Sequence, residues 1–297
     1  MQDPGALNQA VDEAAQAIAQ ADAILVGAGA GMGVDSGLPD FRGDAGFWKA
    51  YPRYAELGLR FAELANPRWF TKDPELAWGF YGHRLHLYRD TRPHRGFDLL
   101  RSFASELDDG LFALTSNVDG QFQRAGFPAG RVVEIHGSIH FMQCLGGCAL
   151  GAHAADPYRV ELDDKSLRAR PPLPSCPRCG GLLRPNILMF NDSGWDSARS
   201  DAQEAELSRW LHEHARRGSR FVVIELGAGR AIPSVRRFCA GTARELRAPL
   251  VRINPRESDT DPYESGYQHI ALPTTALDGL QRIAAALASS GAADPET

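Results

Sequence analysis

Two close pairs of cysteines, Cys144-x3-Cys148 and Cys176-x2-Cys179, stand out in a chain that has only one other, Cys239. Paired thiolates on tight turns supply the four soft ligands that tetrahedral zinc takes. With sulfur in all four positions no place is left for a water, so such a zinc is structural. Disulfides or redox thiols are the competing reading, which a reducing compartment disfavours. Cys239 sits in a helical stretch and reads as a small buried hydrophobe. A second set of chemically able residues ends two apolar runs: Thr115-Ser116-Asn117-Val118-Asp119-Gly120 and Glu134-Ile135-His136-Gly137. Histidine titrates near neutral pH and is suited to carry a proton in a reaction. Its plainer reading is a hydrogen-bonding loop residue, and that of Asn-x-Asp is a turn.

A glycine-rich loop, Gly27-Ala28-Gly29-Ala30-Gly31-Met32-Gly33, continues through Val34-Asp35-Ser36-Gly37-Leu38-Pro39-Asp40-Phe41-Arg42-Gly43 and follows the apolar run Ala23–Val26. Glycines at a strand's end let the backbone turn sharply and approach a phosphate that a Cβ would hold off. Strand, glycine loop and helix in that order are how doubly wound sheets hold dinucleotides. The spacing does not fit G-x-G-x-x-G, because Met32 and Val34 fall where the third glycine should be. That disfavours an ordinary hydride-transfer enzyme.

The elements needed to position these groups are legible. Leu7, Val11, Ala14 and Ile18 recur at helical spacing, which predicts an amphipathic helix over about 6–20 leading into the first strand. Short β-branched runs follow at Leu111–Thr115, Arg131–Ile135, Phe221–Gly227, Pro249–Asn254 and His269–Leu272, with helical stretches at Asp201–His214 and Ser234–Leu246. Such alternation predicts an α/β fold, a doubly wound parallel sheet covered on both faces. Ligands then bind beyond the carboxyl ends of the strands, where Gly27, Asn117, His136, Gly227 and Asn254 all fall. Two segments break the alternation. Residues 44–90 are mostly helical and rich in aromatics, and residues 140–184 hold the paired cysteines among glycines and prolines. They read as insertions that together build a smaller domain beside the sheet.

The 297 residues, 43% hydrophobic and 23% charged, are ordinary globular values and allow a substantial core. A net charge of −5 with no basic run gives no case for nucleic acid. No Lys or Arg precedes Arg42, which argues against a secretory or transit signal, and no apolar stretch is long enough to span a membrane. The expectation is a cytoplasmic protein with a frayed tail at its C-terminus.

Gly-Ala-Gly followed by Ser36-Gly37-Leu38-Pro39-Asp40-Phe41-Arg42-Gly43 resembles the cofactor loop of the sirtuins, NAD-consuming protein-lysine deacylases. Thr115–Asp119 and His136-Gly137 resemble that family's Thr-Gln-Asn-x-Asp and His-Gly motifs, and Cys176-Pro-Arg-Cys179-Gly-Gly resembles a zinc knuckle. The likeness covers about 20–255. It implies a Rossmann-like NAD-binding domain from residues 1–43, 91–139 and 185–297, with the helical insertion 44–90 and the zinc-binding insertion 140–184 as the small domain. It implies transfer of an acyl group from lysine to ADP-ribose with release of nicotinamide, NAD being consumed as co-substrate and one structural Zn2+ held per chain by Cys144, Cys148, Cys176 and Cys179.

On the same resemblance His136 is the general base, Asn117 orients the nicotinamide ribose and a water, and Asp119 holds the nicotinamide amide. Gly27, Ala28, Gly29, Asp40, Phe41, Arg42, Ser116, Gly227 and Asn254 contact the cofactor, with Phe41 guarding the nicotinamide pocket. Arg184–Asp192 resembles the segment that pairs with an acyl-lysine peptide as an added strand, giving Met189, Phe190 and Asn191 a substrate role. Tyr81-x-x-Arg84 resembles the pair found in members that accept acidic acyl groups, and on a helix the two side chains are neighbours. Asp44 adds negative charge near that entrance. His83, His86, His94 and His140 have no such support and read as structural.

Departures fall on the ribose side, at Ser116 and 225–230, and on the substrate side, at Asn191 and Asp192. Ser116 replaces glutamine, Asn191 replaces glycine, Asp192 replaces glutamate, and in Glu225-Leu226-Gly227-Ala228-Gly229-Arg230 only Gly227 matches Gly-Thr-Ser-Leu, leaving Arg230 to supply charge. They leave room for an ADP-ribosyltransferase or NAD hydrolase on the same site, or a non-catalytic NAD or ADP-ribose sensor. The retained His136 favours deacylation, because cleavage of the glycosidic bond alone does not need it.

Overall fold

The computed structural model describes residues 4–40, 56, 58–105, 107, 109–163, 166–261 and 264–291. Phe41, Arg42 and Asp44 lie outside the described residues. Six parallel strands, β1 (Ala23–Ala28), β2 (Gly110–Thr115), β3 (Val132–Glu134), β9 (Phe221–Leu226), β10 (Leu250–Ile253) and β11 (His269–Leu272), form one sheet in the order β11-β10-β9-β1-β2-β3. Between β3 and β9 the chain makes a second sheet from β4 (Gly137–Cys144), β5 (His153–Ala154) and β8 (Leu183–Ile187), and a hairpin from β6 (Glu161–Asp163) and β7 (Arg168–Arg170). Among the described residues the α-helices are α1 (Pro4–Ala19), α2 (Phe61–Leu64), α3 (Arg68–Lys72), α4 (Pro74–Asp90), α5 (Arg95–Phe103), α6 (Gln121–Arg124), α7 (Ala198–Arg217), α8 (Ser234–Leu246) and α9 (Ala276–Gly291).

Alternation within β1 decides which helices cover which face. Ile24, Val26 and Ala28 pack with Val11, Ala14 and Ile18 of α1, Phe97 and Leu100 of α5, and Leu280 and Ile283 of α9. Ala23 and Leu25 point the other way, into a core with Leu207 and Trp210 of α7 and Val235, Cys239 and Ala243 of α8. Both faces are dry, so the strand is apolar throughout, as a doubly wound sheet requires. Cys239 is fully buried in that second core.

A network of charges interrupts the apolar strands β9 and β10. Glu225 of β9 and Arg252 of β10 are both fully buried and bonded at 2.7 and 3.1 Å, and Arg252 also holds Glu264 at 2.7 Å. Arg236 of α8 joins them through Asp261 at 2.5 Å. Buried ions that are fully paired cost little net stability, whereas removal of one partner typically costs about 3–5 kcal/mol. The network ties the segment 255–261 to the end of the sheet that carries the site.

A third core lies beside the sheet. Phe70, Trp78, Phe80, Tyr81, Leu85 and Tyr88 pack with Ile139 and Met142 of β4 and with Leu183 and Ile187 of β8. Trp78 donates its indole N–H to the Leu183 carbonyl at 3.0 Å, joining α4 to the cysteine-bearing segment. Asp73 caps α4 through Leu76 N at 3.2 Å, with Pro74 at its first position. The same Asp73 takes a bidentate pair from Arg168 of β7 at 2.6 and 2.7 Å.

Candidate active site

Strand register brings the candidate residues to one edge. Ala28 lies beside Thr115 and Leu226, Thr115 beside Glu134, and Leu226 beside Ile253. The next residues, Gly29, Ser116, Ile135, Gly227 and Asn254, therefore leave the sheet level with one another at its carboxyl end. Backbone bonds carry the ladder onward: Gly29 N to Leu226 O at 2.9 Å, Ser116 N to Ala28 O at 3.1 Å, and Ile135 N to Thr115 O at 3.0 Å. Beyond this edge is a cleft of about 550 Å³ lined by Gly29, Asp40, Ser116, Asn117, Asp119, His136 and Gly227, together with Tyr81, Arg84, Met189 and Phe190 from the substrate set.

The two glycine loops close on each other at the centre of the sheet, where β1 meets β9. A Cβ on Gly227 would stand 2.4 Å from the Gly31 Cα, and one on Gly29 would stand 2.7 Å from the Ala228 Cα. Side chains are excluded there, and the backbone forms the floor of the cleft. Its volume, its position at a strand-order switch point and its few convergent polar groups fit a dinucleotide.

Each polar group is held from behind. Asn117 donates its amide to the Gly29 carbonyl at 3.0 Å, while its own N–H is tied to Thr115 Oγ1 at 3.0 Å. Asp119 is buried and accepts from Gln121 N at 2.9 Å; burial first, then the Glu134 charge, pushes its carboxyl up to about 6. Burial lowers the pKa of His136 below its ordinary value of 6.5, while a hydrogen bond to the Ser116 backbone opposes the shift. Burial thus keeps the imidazole neutral at pH 7, while the bond to the Ser116 backbone occupies one ring nitrogen and leaves the other open to the cleft.

Other predicted residues stand elsewhere. Gly27 and Ala28 lie within β1, and a Cβ on Gly27 would fall 2.1 Å from the Cys239 Sγ, so close helix-to-sheet packing accounts for this glycine. Asn254 is fully buried, donating to the Ala228 carbonyl at 3.0 Å and accepting from Arg256 N and Glu257 N at 3.1 Å. It holds the Gly227 loop from below. Arg230 is engaged by Asp261 at 2.6 Å and Asp259 at 3.0 Å, so its charge is already compensated within the chain. Glu257 accepts from Arg230 N at 3.2 Å.

Asn191 sits beside the cleft at φ 56°, a left-handed conformation that asparagine adopts more readily than most side chains. That explains how it stands where glycine was expected. Asp192 is buried against Arg184 with one bond at 2.9 Å and a second, shorter one, and it also accepts from Met189 N at 3.1 Å. The pair fixes the turn at Met189–Asn191. Leu188 N donates to the His136 carbonyl at 3.0 Å, which lays this segment along the loop that carries His136.

Two residues to which the sequence assigns no site role support it. His140 Nε2 bonds the Asp119 carbonyl at 2.9 Å from behind. Tyr88 lines the cleft one helical turn after Arg84, and that i, i+4 spacing was the available signal.

The four sulfurs of Cys144, Cys148, Cys176 and Cys179 all lie within 4.8 Å of one another, with pairs at 3.5 and 3.6 Å. A tetrahedral zinc with bonds of about 2.3 Å spaces its sulfurs at about 3.8 Å, whereas a disulfide needs about 2.05 Å. The donor set fits a structural zinc at the far end of β4 from His136.

Comparison with known proteins agrees with this geometry. The model of the Sir2 family matches residues 29–208. An NAD-dependent protein deacylase of Aquifex aeolicus is 32% identical over 77% of this chain and 82% of its own length. One from Aeropyrum pernix is 30% identical over 94% of this chain and 98% of its own. Among solved structures, a mutant Sir2 homologue in complex with ADP-ribose has a TM-score of 0.65 at 24% identity, over 96% of this chain and 99% of that one, a likeness of fold. The sheet, the cluster of four cysteines and these relatives agree: the chain belongs to the Sir2 family, the sirtuins.

Proposed function

We infer that the cleft carries out NAD-dependent deacylation of protein lysine, and the observation that carries this reading is the level meeting of the two glycine loops with Asn117, Asp119 and His136. NAD, when bound, supplies the ADP-ribosyl group that takes up the acyl chain as nicotinamide leaves. Neutral His136 accepts a proton from a ribose hydroxyl at the ring nitrogen that the Ser116 backbone does not hold. Asn117 keeps its side-chain oxygen toward the cleft for a hydroxyl or a water, since its amide is bound to Gly29. Asp119, ionised above about pH 6, accepts from the carboxamide of the leaving nicotinamide.

The mouth of the cleft supports an acyl-lysine substrate. Leu188, Phe190 and Ile232 are exposed apolar residues on its rim, suited to the aliphatic stem of a lysine. The N–H groups of Leu188, Met189 and Phe190 are held by the His136 carbonyl, Asp192 and the Ala65 carbonyl, so this segment offers a peptide its carbonyl oxygens, contacts that give affinity with little sequence preference. The inner wall supports an acidic acyl chain: Arg84 is only 6% exposed, faces the cleft and lies over the rings of Phe80, Tyr81 and Tyr88. A guanidinium in so dry a place binds a carboxylate strongly. Tyr81 stands beside it, its phenol pushed up to about 12 by burial and thus a hydrogen-bond donor throughout the working pH range.

Incubation of the purified protein with NAD and acetyl-, succinyl- and longer-acyl-lysine peptides, followed by mass spectrometry, tests the reading. Free lysine, nicotinamide and O-acyl-ADP-ribose in equal amounts are expected. Nicotinamide and ADP-ribose from NAD with every peptide still acylated would show NAD hydrolysis instead.

A further inference from the structure

Arg84 directs two of its nitrogens to one atom. Nε and Nη2 both donate to the hydroxyl oxygen of Tyr88, at 3.1 and 2.7 Å. Tyr88 is 4% exposed, and its ring is one of three aromatic faces around the guanidinium. Both residues lie on α4 and both line the cleft. Aromatic faces hold a guanidinium without fixing its orientation, whereas a fork bonded along its Nε–Nη2 edge cannot rotate without losing both bonds. A phenol oxygen that accepts two hydrogen bonds still has its own hydrogen to donate. Among the described residues that hydrogen has no acceptor, and the hydroxyl stands at the cleft wall.

We propose that Tyr88 determines acyl specificity: it positions Arg84 toward an incoming acyl carboxylate and donates its own O–H hydrogen to that carboxylate. This rests on the reading of Tyr81 and Arg84 as the acidic-acyl end of the cleft. The carboxylate, with acceptor positions on both oxygens, would then be shared by Arg84, Tyr81 and Tyr88. An acetyl group carries no carboxylate to meet these donors. Tyr88 therefore acts on one class of substrate and leaves the other untouched.

The test compares steady-state kinetics on succinyl-lysine and acetyl-lysine versions of one peptide for the unaltered protein, Tyr88→Phe and Arg84→Met. Tyr88→Phe keeps the ring and removes only the oxygen, and its acetyl-lysine turnover reports that the fold and the NAD site are intact. The expected result is a loss of about tenfold in kcat/KM for succinyl-lysine, taken mainly in KM, with acetyl-lysine changed by no more than about twofold. Arg84→Met should abolish the preference altogether. An unchanged succinyl-to-acetyl ratio in Tyr88→Phe, alongside its collapse in Arg84→Met, would overturn the role of Tyr88 and leave the acidic-acyl reading standing. An unchanged ratio in both variants would overturn that reading and this inference together. Equal losses on both peptides in Tyr88→Phe would show a structural role in place of specificity.

Discussion

At the scale of single residues, the site holds polar groups in places that cost stability. Asp119 is the clearest case. Burial, aided by the Glu134 charge, raises its carboxyl from 3.8 to about 6. Because the native pKa exceeds the unfolded one, the ionised carboxylate destabilises the fold fully above about pH 6, and the penalty vanishes as pH falls below 3.8. At neutral pH the cost is on the order of 2–3 kcal/mol. Asp119→Asn keeps the bond from Gln121 N and removes the charge. The variant should be more stable than the parent at pH 7.5, no more stable at pH 4, and impaired in NAD-dependent turnover, as thermal melts at the two pH values and one activity assay will show. A variant less stable at pH 7.5 would mean that the carboxylate is better compensated than its burial indicates. His136 was legible as the end of a strand in the sequence, and its neutral state follows from burial, which only the fold supplies.

At the scale of elements, β4 links the four-cysteine cluster to the loop that carries His136. It begins at Gly137, next to His136, and ends at Cys144. Cys144 and Cys176 are buried, whereas Cys179 is exposed. Structural zinc sites supply folding free energy directly, so the small sheet should lose order with the metal. Cys179→Ser should give protein with less than one zinc per chain by atomic emission, a lower melting temperature and reduced deacylation. Full activity in a zinc-free sample would contradict the coupling. The cysteine spacing made the cluster readable from sequence. The role of α4 was only half readable: Tyr81 and Arg84 stood out as a spaced pair, whereas Tyr88 passed for one more aromatic in a helix that buries Trp78, Phe80 and Leu85.

The whole molecule shows which kinds of information a sequence carries. Short, mostly apolar runs mark the strands of the sheet, so β1, β2, β9, β10 and β11 were legible within a residue or two of their observed ends, and His269–Leu272 and Ser234–Leu246 in full. Pairing between charges remote in sequence was not legible. Arg230 looked available for a phosphate, and the structure turns it to Asp259 and Asp261. Glu225 and Arg252 lie on different strands, 27 residues apart, and they are partners. Gly27 looked like part of a phosphate loop, and its place against Cys239 depends on where α8 crosses the sheet. Sequence motifs thus identify the chemistry at the strand ends, while the supports beneath it come from the tertiary fold.

In the proposed reaction His136 removes a proton after the nicotinamide bond has broken, so that the acyl group can move. The most direct test is His136→Ala assayed two ways with NAD and an acyl-lysine peptide: exchange of labelled free nicotinamide into NAD, and formation of deacylated peptide. Exchange needs only bond cleavage and its reversal, whereas deacylation needs the base. In His136→Ala exchange should survive while deacylation falls by at least ~100-fold, the usual range for loss of a general base. Deacylation at the parent rate, or equal loss of exchange and deacylation, would contradict it.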